Sequence, residues 1–150
     1  MKSLFDRSDR AVKRRLMQNA NGEALEDGFS CTEATIKGVY GVEATGYRLT
    51  GVGSYVPFGV ANWRNFDGNG NFTGVGINNV NGTFANVNYH GTYTVNRDCT
   101  VEIDEVVIST EGVVRNLSES GIIVDKGREI LALQTSPDDN IVSSVLKKVR

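Results

Sequence analysis

The chain has no apolar run approaching the ~20 residues of a membrane-crossing helix. It has only two prolines, two cysteines, one histidine and one tryptophan. Each shortage excludes something. Cys31 and Cys99 are too far apart to form a metal-ligand motif and are either one disulfide or two separate thiols. A lone histidine, His90, leaves no histidine-rich metal site. Scarce proline beside 17 glycines in 150 residues points to glycine turns between strands and argues against disorder. A net charge of −2 predicts no nucleic-acid partner. No apolar stretch follows the basic residues after Met1, so no signal peptide is read and the cytoplasm is expected. A secreted or periplasmic protein trimmed of its leader reads the same way.

The charge is uneven. Residues 1–15 carry six Lys/Arg against Asp6 and Asp9, leaving ten basic and sixteen acidic residues in the remainder. A basic arm on an acidic body is expected to dock on that body or on a second copy rather than on membrane. Ser8 to Ala20 reads as a helix. Ser8 caps it, Val12, Leu16 and Met17 share a face, and Gly22 stands at the C-cap. Glu23 to Ser30 reads as a linker, which gives an N-terminal arm over 1–30 and one domain over 31–150.

The stretch from Trp63 to Val95 organises the domain. Phe66-Asp67-Gly68-Asn69-Gly70-Asn71-Phe72 and Asn79-Val80-Asn81-Gly82-Thr83 are two hairpin signals, with Asp-Gly and Asn-Gly supplying the positive φ that tight primed turns need. Strands are expected over Ala34–Ala44, Tyr55–Phe66, Asn71–Asn79, Thr83–Val95, Cys99–Ser109, Val113–Val124, Glu129–Gln134 and Asn140–Val149. About eight strands without intervening helices predict an all-β, antiparallel up-and-down barrel or a sandwich.

Alternation assigns faces. Tyr89, Gly91, Tyr93 and Val95 share one side of their strand, as Ile36, Gly38, Tyr40 and Val42 do of the first. In each pattern a glycine two residues before a tyrosine lets the strand coil while the ring fills the space opposite. Ten of the 14 asparagines fall between Asn62 and Asn96, which suits either a polar lumen or a solvated outer face.

Four segments carry a family resemblance: Cys31-Thr32-Glu33-Ala34-Thr35-Ile36-Lys37-Gly38-Val39-Tyr40-Gly41, Phe66-Asp67-Gly68-Asn69-Gly70-Asn71, Gly91-Thr92-Tyr93-Thr94-Val95-Asn96-Arg97-Asp98-Cys99-Thr100, and Arg128-Glu129-Ile130 with Gln134-Thr135. Together they resemble a family of small, often secreted bacterial proteins of uncharacterised function. That family looks like a calycin-type barrel, similar in architecture to lipocalins and allene oxide cyclase-like barrels. The resemblance implies the fold, and a disulfide between the matched cysteines, but no catalytic residues. The chain departs from the family in lacking a secretion signal and in carrying Arg64 where the family has an apolar residue.

Arg64 shares the parity of Phe66. If that side faces inward, the arginine needs a partner, and Glu105, on the Val101-Ile103-Val107 side of its strand, is the one expected. A bulge would instead turn Arg64 to solvent. Tyr40, Tyr89 and Tyr93 would line a cavity, with Phe58, Trp63 and Phe84 as apolar wall, or simply fill the core. His90 is expected outside. Asp67 to Asn71 opens like a calcium loop, but Phe72 and Asn78 stand where that loop needs Gly and Glu, so the hairpin is preferred.

These residues predict that the lumen binds a small, largely apolar molecule bearing one carbonyl or carboxylate. The alternatives are a cofactor-independent cyclase or isomerase, in which Arg64, Tyr89, Tyr93 or Glu105 polarises the substrate, and a structural protein with a filled core. No cofactor and no metal are invoked, and a homo-oligomer through the N-terminal helix is conceivable. Arg64→Met is expected to leave the fold intact. Arg48, assigned to the first loop, is expected to be inert.

Overall fold

Turn chemistry sets the strand order. In the computed structural model, which describes residues 29–138 and 140–150, eight strands run in chain order: β1 (Gly38–Leu49), β2 (Tyr55–Phe66), β3 (Asn71–Val80), β4 (Thr83–Val95), β5 (Thr100–Ser109), β6 (Val114–Val124), β7 (Glu129–Ser136) and β8 (Ile141–Lys148). Each pairs antiparallel with the next, and β8 pairs back onto β1, so the sheet closes into an up-and-down barrel. Closure leaves no unpaired edge. The helix expected over Ser8–Ala20, and all of the proposed arm up to residue 28, lie outside the described residues.

Both expected hairpins form. Between β2 and β3, Asp67 Oδ1 accepts from the N–H groups of Asn69 at 2.7 Å and Asn71 at 3.0 Å. These bonds hold the Asp67 carboxyl below the usual carboxylate range. Between β3 and β4, Asn81 and Gly82 both take positive φ, and Asn79 Oδ1 accepts from Gly82 N–H at 2.7 Å.

The first strand differs from expectation. Glu33–Ile36 forms a 3₁₀ turn, steadied by Thr35 Oγ1 accepting from Thr32 N–H at 2.9 Å. β1 therefore starts at Gly38 and runs through Gly46, which reads in the sequence as a turn residue. A Cβ at Gly46 would stand 1.8 Å from the Ile141 carbonyl oxygen, so glycine there serves close strand approach.

Inward residues divide the barrel into two parts. At the end bearing the β2–β3, β4–β5 and β6–β7 connections, aromatic rings fill the interior. Phe66 stacks edge-on with Tyr40 (5.3 Å) and Tyr93 (5.0 Å), and lies 5.3 Å from Phe72. Ile36, Val101, Ile103, Ile130 and Leu146 complete this plug. The Cys31–Cys99 disulfide fastens the segment before the 3₁₀ turn to the β4–β5 connection. It closes a loop of 68 residues. Replacing both cysteines by serine should therefore cost about 2–4 kcal/mol in urea denaturation, mainly by freeing the unfolded chain. An unchanged midpoint would refute that role.

Candidate functional site

Below the aromatic plug the lumen turns polar. β2 delivers Asn62 and Arg64, β4 Tyr89, β5 Glu105, β6 Glu119 and β8 Ser144, all at inward positions and all buried. Arg64 is 2% exposed and bridges two carboxylates: Nη2 lies 3.0 Å from Glu105 Oε2, and Nη1 donates to Glu119 Oε1 at 3.0 Å. Its guanidinium also sits 5.5 Å from the Phe72 ring centroid and 5.6 Å from that of Tyr89. The cation is thus held between the plug and the open lumen.

Two carboxylates and one guanidinium in a dry site would leave a net negative charge. The protons redistribute to remove it. Burial pushes Glu105 up, Arg64 pulls it back and neighbouring Glu119 pushes it up again, leaving it at about 8. Burial also acts against Glu119, but Arg64 and hydrogen bonds from Glu105, Arg64 and Ser144 outweigh it and hold Glu119 below its ordinary value. Arg64 is lowered by burial and raised more by the two glutamates, so it stays charged. At pH 7 the two glutamates therefore share one proton beside Arg64⁺, with Glu105 its favoured site because burial and Glu119 raise it and Arg64 holds Glu119 down. Burial pushes Tyr89 to about 12, so its hydroxyl stays protonated beside Asn62.

This cluster keeps hydrogen-bonding capacity in reserve. Among the described residues, Arg64 Nε, Glu119 Oε2 and both amide atoms of Asn62 are buried without a well-aligned hydrogen bond, while Glu105 Oε2 is met only by the Arg64 ion pair. They adjoin a cavity of about 50 Å³. Ala44, Phe58, Val60, Val107, Leu117 and Val142 form its apolar wall, and Arg48, Asn78, Arg115 and Asn140 lie towards the end bearing the β1–β2, β3–β4, β5–β6 and β7–β8 connections. About 10–15 Å³ of such space holds one water. The cavity therefore takes a few waters or the tip of a small molecule.

The structure brings Arg64, Tyr89, Glu105 and Phe58 together and separates the other expected residues. Tyr40 and Tyr93 belong to the plug. The Tyr40 hydroxyl donates to the Gly127 carbonyl, while the Tyr93 hydroxyl accepts from Gly68 N–H at 2.9 Å and donates to the Glu33 carbonyl at 3.2 Å. Burial raises both tyrosines, Tyr40 to about 12. Their hydroxyls tie connections at the closed end and do not reach the cavity. Trp63 and Phe84 are 54% and 70% exposed on the outer wall, because each has the opposite parity to its inward neighbour, Arg64 or Ala85. His90 is exposed, as expected.

Sequence reasoning missed Glu119, although Leu117, Glu119, Gly121 and Ile123 alternate as an inward face. It also misplaced Arg48, which lies in β1 and lines the cavity. Arg48→Met is thus no inert control. Compared with known proteins, the chain matches no family model and no curated sequence.

Proposed function

We propose that the barrel takes up the carbonyl end of a small organic molecule, with the carbonyl pointing at the Arg64–Glu105–Glu119 cluster, the first apolar atoms against Phe58, Val60, Val107 and Leu117, and the rest of the molecule towards the open end. The observation carrying this reading is a buried charged cluster with unfilled hydrogen-bonding positions at the floor of a cavity. A packed core does not keep such groups unsatisfied without cost. The floor carries no net charge at pH 7, and its unfilled donor is Arg64 Nε. It favours a carbonyl over a carboxylate, which would meet Glu119⁻.

Methyl NMR of Val107 and Leu117, during titration with straight-chain ketones and with carboxylates of equal length, tests this. Ketones should shift both residues, and carboxylates should not. Leu117→Trp, which fills the cavity, should abolish the shifts while far-UV circular dichroism stays unchanged. No shift with any ketone would leave the filled-barrel reading standing.

A second reading draws on Glu105 and Glu119, whose environments push their pKa values apart. An acid and a base on either side of a guanidinium suit a cofactor-independent isomerase acting on a carbonyl compound. Its rate would fall as pH passes about 8, where Glu105 loses its proton. We also read the chain as belonging to the secreted bacterial barrel family it resembles, and the Cys31–Cys99 disulfide supports an oxidising compartment.

A further inference from the structure

We propose a second binding site on the outer wall of β2–β4, centred on Trp63, that takes a neutral oligosaccharide. Between Tyr55 and Val95 the charged residues are Arg64, which faces inward, and Asp67, which is in a turn. The outer faces of three consecutive strands are therefore free of charge, while the flanking strands present Glu43 on β1 and Asp104 on β5 to solvent. This wall absorbs much of the asparagine excess: Asn65, Asn86 and Asn88 all point outward and are exposed.

Trp63 pairs across the sheet with Gly41 on one side and Val75 on the other, and Val75 pairs with Asn88. The indole edge lies over Gly41, where a Cβ would sit 3.7 Å from its Cζ3 atom, and the residue as a whole is 54% exposed. The indole borders a groove of about 400 Å³ shared with Val39, Asn65, Thr73, Val75 and Asn88.

The chemistry selects the occupant. The C–H face of a pyranose carries slight positive charge and stacks on the negative face of an indole. Its hydroxyls, which both donate and accept, match amide and hydroxyl side chains that do the same. A membrane surface fits poorly, because the wall has no basic residue and its amides would be desolvated. An extended peptide adding to a sheet needs an open edge, and the barrel has none.

Trp63 is the chain's one tryptophan, so its emission reports this site without a label. Titration with cello-, chito- and manno-oligosaccharides should shift the emission to the blue and saturate with at least one series. By calorimetry, Trp63→Ala should weaken binding more than about tenfold, while Trp63→Phe keeps part of it and Asn88→Ala loses severalfold. Leu133→Ala, on the exposed wall of β7, should bind as the parent does. Circular dichroism confirms that each variant is folded. The proposal is overturned by no response across the neutral panel, or by tighter binding of polygalacturonate than of any neutral chain. It is also overturned by a sedimenting dimer that Trp63→Ala dissolves, which would make the wall an interface between copies.

Discussion

Arg64→Met should destabilise the barrel by about 3–5 kcal/mol at pH 7, the range for breaking a buried ion pair by removing one partner. From the sequence alone the same substitution looks harmless, since it removes a buried charge and restores an apolar residue. Glu119 reverses the sign. With the guanidinium gone, Glu105 and Glu119 face each other in a dry lumen without a cation. Ionisation of either becomes unfavourable, so both folded pKa values rise above the unfolded ones. A carboxyl raised in the folded state contributes stability at low pH and loses it as pH climbs through the folded value. The penalty should thus shrink as pH falls below 4.5, where the variant's acids become protonated folded and unfolded alike, and be largest above pH 7. Methionine also forfeits the contacts of the cation with the Phe72 and Tyr89 rings. Urea denaturation of parent and variant at acidic and neutral pH measures this. A loss below about 1 kcal/mol at pH 7 would mean that the cluster is hydrated and only weakly coupled to the fold.

Periodicity and turn chemistry made the architecture legible. Asp67-Gly68 and Asn81-Gly82 each fix a turn, and two fixed turns set the register of three strands. A closed sheet then gives every strand one inward face, so parity alone places Arg64, Tyr89 and Glu105 in the lumen. The same rule places Trp63 and Phe84 outside. Assigning them to the cavity wall followed their apolar character instead of their position. What periodicity does not carry is depth along the barrel axis. Tyr40, Tyr89 and Tyr93 are all inward, but Tyr89 lies by the cavity while the other two are sealed in the plug. That depth depends on strand stagger, which no single strand encodes. Partner identity is equally non-local: Glu119 meets Arg64 across the lumen from a strand 55 residues later. Gly46 misled for a different reason, since glycine marks a turn or a close backbone approach with the same letter.

The two glutamates should prove strongly non-additive. Glu105→Gln imitates the neutral acid that Glu105 favours at pH 7, and Arg64 keeps Glu119 as its counter-ion. In the parent, the raised Glu105 contributes stability that is full below its ordinary value of 4.5 and is lost as pH rises through about 8. At about 1.4 kcal/mol per pKa unit, the loss across this window amounts to a few kcal/mol. Glu105→Gln should flatten that decline and be more stable than the parent at pH 9. Glu119, lowered in the fold, acts in the opposite sense: its contribution is present above 4.5 and is lost as pH falls below. In Glu119→Gln, Glu105 loses the neighbour that repels its charge, ionises and takes over as counter-ion. Each single variant therefore preserves one positive and one negative charge. The double variant does not. It leaves Arg64 charged and unpaired in the lumen, at about 3–5 kcal/mol. A double-mutant cycle at pH 7 should return a coupling of a few kcal/mol, where independent sites would add within about 0.5 kcal/mol. Additivity, or a parent whose stability holds level from pH 5 to 9, would show that the two carboxyls do not share the one guanidinium.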